Sequence, residues 1–305
     1  NSRYQVISGH PLRQYYSELG SNGVLDVIQA NYDHNLKAYV PIRPLNDYRS
    51  IQSMGYRVKS YHDYASSSLR KIVGPAMQII PYKEINTLQS MIFINKGGKH
   101  FVAHALPRDA QLTANFDAGV ADYNNDGNED IFLSQNFFDV PPSDTRLDGG
   151  RGLWLKGNGK GHFVAVPGQK SGVKVYGEQR GAALGDFNGD GRVDLAVSQN
   201  GNYTKLYQNT TKKRGFTIRM KGPSNNRNAI GSSIRLVYKN GQKGPEREIQ
   251  VGSGYWSQNS STQIMGYNGS TKPVSIEVRW FNGKKEKVKI SKNKMDYIIN
   301  YSKKN

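Results

Sequence analysis

Asp122, Asn124, Asp126 and Asp130 set four oxygen-bearing side chains two, two and four residues apart around Gly127, and Asp186, Asn188, Asp190 and Asp194 repeat that spacing around Gly191. Such a set suits a hard cation: calcium takes roughly six to eight oxygen ligands at adaptable angles, and carboxylates, amides and carbonyls of one short loop can supply them. The carbonyls of Asn128 and Arg192 are expected to add a fifth oxygen to each loop, and the Arg192 side chain is assigned no ligand role. Gly127 and Gly191 let the backbone turn where a Cβ would obstruct the ion. Two calcium sites are therefore expected.

Neither loop fits the helix-loop-helix calcium motif, which needs a bidentate Glu at its twelfth position and a helix on each side. Here the ninth position is Asp, and the chain continues as Ile-Phe-Leu-Ser or Leu-Ala-Val-Ser, the pattern of a buried or half-buried strand. A single Asp/Asn/Gly stretch of this kind also reads as a hairpin turn whose side chains bond their own backbone. The second copy, with matching flanks, favours the metal reading.

The loops start 64 residues apart, and a related hairpin precedes each: Met91-Ile-Phe-Ile-Asn-Lys-Gly-Gly-Lys-His-Phe101 and Leu153-Trp-Leu-Lys-Gly-Asn-Gly-Lys-Gly-His-Phe163. This is an internal repeat, whose copies bury their faces against their neighbours. An eroded third copy runs from Glu18 to Asp26; Glu18, Asn22 and Asp26 keep the spacing, but Gly20 replaces an oxygen donor, so weak or absent calcium is expected there. Glu18 precedes Asp122 by 104 residues, implying an insertion, partly helical, near residues 37–75, with short surface helices over Leu45–Met54 and Ser60–Val73. Tyr48, Tyr56, Tyr61 and Tyr64 within it could stack on sugars or pack a surface loop.

A chain of 305 residues with 33 Gly, 19 Tyr and short strands between Gly, Asn and Asp turns reads as an all-β protein of two domains, residues 1–210 and 211–305. It has no cysteine, which excludes disulfides, thiolate metal sites and a cysteine nucleophile. No stretch is apolar enough to span a bilayer, and the opening residues are not a signal peptide; the chain reads as a portion of a longer polypeptide. Charge is uneven. From Lys205 onward, 21 Lys and Arg face 5 Asp and Glu, a net of +16 that leaves +2 of the total +18 for everything before. The strands in this part include Ile234–Tyr238, Arg247–Val251 and Val274–Trp280, with turns at Asn240-Gly, Asn268-Gly and Asn282-Gly and water-facing lysines in Lys284–Ile290. A small sandwich or barrel-like module is expected.

Its field would attract acidic polysaccharide, lipopolysaccharide phosphates or an acidic protein, or merely keep the chain soluble. Nucleic acid is disfavoured, because no base-reading motif occurs. Catalysis is not expected. His10, His34, His62, His100, His104 and His162 show no metal-ligand spacing, no nucleophile elbow or phosphate loop is present, and the loop carboxylates are committed to cations.

The units from about Tyr16 to Leu206 resemble FG-GAP or VCBS repeats, on the strength of Asp122–Ser134 and Asp186–Ser198. Asn226–Ile234, Arg247–Ser260 and Ile276–Gly283 resemble the ASPIC/UnbV domain, with Ile264-Met-Gly-Tyr departing from that family's usual Phe-Gly-Leu-Gly. The resemblance implies an integrin-α-like, calcium-decorated β-propeller, present here as a partial propeller or an end portion, followed by the basic module. It further implies an extracellular or bacterial outer-membrane or periplasmic setting, consistent with calcium loops that work at millimolar calcium. A non-enzymatic binding or scaffold role in protein–protein assembly is expected, with peripheral membrane association open. The alternative is a polysaccharide-binding accessory protein or an unrecognised carbohydrate-active enzyme.

Overall fold

The computed structural model describes residue 4 and residues 6–48, 51–142, 144–269 and 271–302. Two compact units form, Asn1–Gln89 and Ser90–Asn305. In the first, β1 (Leu12–Ser17), β2 (Asp26–Asp33), β3 (Ala38–Pro41) and β4 (Tyr82–Ile85) make an antiparallel sheet of order β3-β2-β1-β4. Three short helices follow β3: α1 (Gln52–Arg57), α2 (Tyr61–Ala65) and α3 (Leu69–Val73). Ser60 and Ser68 cap the last two, their hydroxyls accepting from the Asp63 and Lys71 amides at 3.0 and 3.3 Å, and Gly74 at φ 87° stops α3.

These helices correct the expectation of a surface insertion. Leu45–Tyr48 is a 3-10 turn, positions 49 and 50 lie outside the described residues, and Tyr48, Ile51, Met54, Leu69, Ile72 and Val73 are buried with Tyr15 and Ile28 of the sheet. The insertion therefore supplies most of the buried cluster among this unit's described residues.

The second unit opens with a hairpin, β5 (Met91–Asn95) and β6 (Phe101–Ala105). Next comes an antiparallel meander of β7 (Asn115–Ala121), β8 (Asp130–Gln135), β9 (Leu153–Gly157) and β10 (Phe163–Val166), then a three-stranded sheet of β11 (Glu178–Gly185), β12 (Asp194–Asn200) and β13 (Asn202–Tyr207). Every residue of β8 is buried because both its faces are covered: Ile131 and Leu133 pack with Leu106, Leu153 and Leu155, whereas Phe132 packs with Val175, Leu184 and Leu195. That explains its unbroken apolar run.

The remaining strands are β14 (Phe216–Lys221), β15 (Ser233–Tyr238), β16 (Arg247–Glu248), β17 (Gln263–Met265), β18 (Pro273–Arg279), β19 (Lys285–Lys289) and β20 (Asp296–Asn300). They form two sheets, β17-β14-β20 and β16-β15-β18-β19, sharing one core around Phe216, Ile218, Ile234, Ile276, Val278 and the fully buried Trp280. Each such side chain contributes about 1.5–3 kcal/mol on burial. The module is thus a small sandwich, in which β14 and β20 run parallel. Asn282-Gly283 makes the β18–β19 hairpin, and Lys285, Lys287 and Lys289 face water.

The expected strand Arg247–Val251 shrinks to two residues, since Gly252 and Gly254 adopt φ of 71° and 75° and lead the chain across β11, where the Ser260 amide bonds the Leu184 carbonyl at 2.8 Å. Among the described residues the architecture is all-β apart from short helices, no sheet closes into a barrel, and no helix is long and apolar enough to cross a membrane.

Candidate metal centres

Both acidic loops, and the eroded copy, connect two neighbouring antiparallel strands: β7 to β8, β11 to β12, and β1 to β2. All three have the same backbone. The carboxylate at position one accepts from the amide at position six: Gly127 to Asp122 at 2.7 Å, Gly191 to Asp186 at 2.8 Å, Gly23 to Glu18 at 2.7 Å. The carboxylate at position nine accepts from the amide at position two: Tyr123 to Asp130 at 3.1 Å, Phe187 to Asp194 at 3.0 Å, Leu19 to Asp26 at 2.9 Å. The side-chain oxygen at position five accepts from the amide at position seven, at 3.0 Å in each loop, from Asn128, Arg192 and Val24.

Positions four and six have positive φ throughout, occupied by Asn125 and Gly127, Gly189 and Gly191, Ser21 and Gly23. Asn124 and Asn188 at position three accept from the Asp126 and Asp190 amides at 2.9 and 3.1 Å. Gly20 has no such oxygen, and its own amide turns to Asp26 instead at 3.0 Å.

Environment separates the first two loops. Asp130 and its counterpart Asp194 are both buried, at 0 % and 2 %, but Asp122 is 2 % exposed where Asp186 is half-buried, and Phe187, Asn188 and Gly189 of the second loop face solvent. Burial pushes the Asp122 carboxyl up to about 7, against the opposing pull of the Gly127 amide and Arg247, with Asp126 adding repulsion. Burial likewise raises Asp130 to about 6, although the Gly157 and Tyr123 amides donate to it. Fixed cations touch the rims: Lys156 Nζ lies 3.2 Å from Asp126, and Arg192 lies 2.9 Å from Asp190.

Among the described residues, no three acidic, histidine or cysteine side chains gather into a metal-holding cluster; the carboxylates are turned onto backbone amides. The donor chemistry nevertheless fits a hard cation. The set is all oxygen, and the ionised form of Asp122 and Asp130 is disfavoured by burial that the amides do not offset.

What covers the first loop comes from far along the chain. Gly127 packs against the Tyr267–Asn268 backbone, where a Cβ would lie 2.9 Å from the Asn268 nitrogen, and a Cβ on Gly266 would collide with Asp122 Oδ2. Arg247 forks onto Glu129, the loop's eighth residue, at 2.9 and 2.7 Å, and donates to the Ile264 carbonyl at 2.6 Å. Lys213 sits over the Tyr267 ring, and its carbonyl accepts from Asn125 at 3.0 Å. Burial lowers the Lys213 pKa, opposed by Asp122 and Asp126.

A second polar network joins the meander to the three-stranded sheet. Asp117, 4 % exposed, accepts from the Ala182 amide at 2.7 Å and the Ser257 hydroxyl at 2.8 Å. Asn136, fully buried at φ 83°, donates to the Gly150 and Gly177 carbonyls at 3.0 and 3.1 Å. Sequence reading missed both, and only the polar residues interrupting strongly apolar strands hint at them.

Of the tyrosines expected on the insertion, Tyr48 is buried and Tyr64 packs on the core with its hydroxyl on the Arg43 carbonyl, 2.7 Å; Tyr56 and Tyr61 are exposed. His104 and His162 meet edge to face at 5.6 Å as hairpin packing residues. A search of the curated proteins finds no match to the chain. Residues 222–305 match the family model described as ASPIC and UnbV, so the sandwich strands β15 to β20, Arg247 and the Gly266–Asn268 cover of the first loop fall within that match, and β14 precedes it.

Proposed function

We propose that the loops 122–130 and 186–194 hold calcium and that the strands they join are blades of an FG-GAP/VCBS-type propeller portion. The chain would act as a non-enzymatic binding or scaffold protein at an extracellular or outer-membrane site. The supporting observation is one carboxylate cradle built three times, with identical positive-φ positions, at the turn between neighbouring strands. Asp122, Asn124, Asp126, Asp130 and the Asn128 carbonyl would hold one ion, and Asp186, Asn188, Asp190, Asp194 and the Arg192 carbonyl the other. Calcium would supply the positive charge that the buried carboxylates lack and pre-order the surface the loops carry. Calorimetric titration of chelated protein tests this: two calcium ions bound with a raised melting temperature are expected, and no binding at millimolar calcium sinks the reading.

A second reading, saccharide binding, is favoured by the loop carrying Trp256. That indole is 94 % exposed at φ 54°. Ser253, Gly254 and Asn259 of the same loop help line a cavity of about 480 Å³ with Gln250, Ser260 and Gln263. Glu129, Glu246, Arg247 and Glu248 also line it, so charged and neutral groups together could bond sugar hydroxyls, with the Trp256 indole exposed on the adjoining loop. A glycan array comparing the protein with Trp256→Ala separates the readings.

A further inference from the structure

Glu129 is not among the oxygens assigned to the ion, yet it makes the most extended contact between the first loop and the sandwich. Its carboxylate holds both ends of the Arg247 guanidinium, at 2.9 and 2.7 Å, and the two side chains are 25 % and 12 % exposed. Asp122, Glu129 and Arg247 line one small crevice with Gly127 and Gly266. Two carboxylates share that crevice with the guanidinium: Glu129, which it engages along with the Ile264 carbonyl, and Asp122. Arginine prefers whichever carboxylate offers the planar two-oxygen geometry. Asp122 offers it less well, because each of its oxygens already accepts a loop amide, whereas the Glu129 carboxylate is open to the fork.

We propose that Glu129 is a positioning residue for the first cation site, holding Arg247 off Asp122 so that a divalent ion, and not the guanidinium, is the counter-charge of the buried carboxylates. This rests on the calcium reading of the loop. The second loop is the internal contrast. At its equivalent position stands Val193, which packs in the core, so no such device operates there.

The experiment uses the full chain carrying Asp190→Ala, so that the first loop alone titrates, with calcium calorimetry and terbium luminescence excited through Tyr123 and Trp154. Glu129→Gln, which leaves Arg247 free to seek Asp122, should weaken binding roughly tenfold or more, the scale of coupling between adjoining sites. The double variant Glu129→Gln/Arg247→Met should recover most of that loss. Arg247→Met alone, which removes the competitor, should bind at least as tightly as the background. Unchanged binding in Glu129→Gln, equal weakening in the single and double variants, or weaker binding in Arg247→Met would each overturn the proposal. Should the background itself bind no calcium or terbium, the calcium reading fails and takes this inference with it. Circular dichroism confirms folding, and if Glu129→Gln does not fold, Arg247→Met alone decides.

Discussion

The first and second loops share a backbone to within a few tenths of an ångström in their hydrogen bonds, yet the first is covered around Asp122 while the tip of the second, Phe187 to Gly189, faces water. A short sequence can therefore specify a turn without specifying its electrostatics. In the second loop Asp194 is buried too, at 2 %, but Asp186 and Asp190 are half-buried and Arg192 reaches Asp190. In the covered loop the same carboxylates are desolvated, and the compensating charges, Arg247 and Lys213, arrive from the sandwich. Covering the first carboxylate of the motif makes its charge costly and brings cations from later in the chain within its field.

The largest test of this contrast compares Asp122→Ala with Asp186→Ala in saturating calcium. The first leaves the Gly127 and Asp126 amides unpaired beneath the lid and should cost about 3 kcal/mol, the second about 1 kcal/mol, read from urea unfolding. Equal costs would break the comparison.

Backbone packing gives the next largest effect. Gly266→Ala drives a methyl into Asp122 and should cost about 2 kcal/mol, whereas Gly189→Ala, with nothing within 4 Å, should cost only the roughly 1 kcal/mol of its positive φ. Thermal melts with and without calcium should show Gly266→Ala reducing the calcium-induced shift and Gly189→Ala leaving it intact.

Kinetics should separate the loops too. Mixing loaded protein with excess chelator is expected to release calcium in two phases, the covered loop about tenfold slower because the lid must open locally first. A single phase would mean that the lid offers no barrier.

The smallest effect concerns Glu178, away from both loops. Burial pulls its carboxyl upward, but the Phe138 amide, Asn200 and Arg180 outweigh it and hold the group down at about 2. A depressed carboxyl stabilises the fold above its unfolded value near 4.5, and that stabilisation fades as pH falls toward about 2. Glu178→Gln should lose about 1 kcal/mol at pH 7 and nothing relative to the parent at pH 2. A constant difference across that window would contradict the assignment.

Much of this was legible in the chain. Spacing located the loops, the strands that follow them and the preceding hairpins, since each depends on neighbours a few residues away. The sandwich followed from alternation and Asn-Gly turns. Less visible was whatever depends on partners remote in sequence. Glu129 and Arg247 are 118 residues apart, and as isolated letters they read as surface charges. The insertion in the first unit lacks a clear period because its helices are only five or six residues long, so nothing marked Met54 or Ile72 as core. Asp117 and Asn136 resemble ordinary turn formers until Ser257 and Gly150 meet them.

The lid also sets an order of events in the life of the chain. The second loop finds its last backbone donor, Asn209, only 15 residues beyond Asp194 and can close almost as soon as it leaves the ribosome. The first must await Arg247 and Gly266, and at ribosomal speeds of about 5–20 residues per second that delay is on the order of ten seconds. Throughout it, the inter-sheet core lacks Ile264 and Asp122 has no cover. A chain that stops short of Arg247 and Gly266 therefore leaves Asp122 uncovered and the core between the two sheets unfinished.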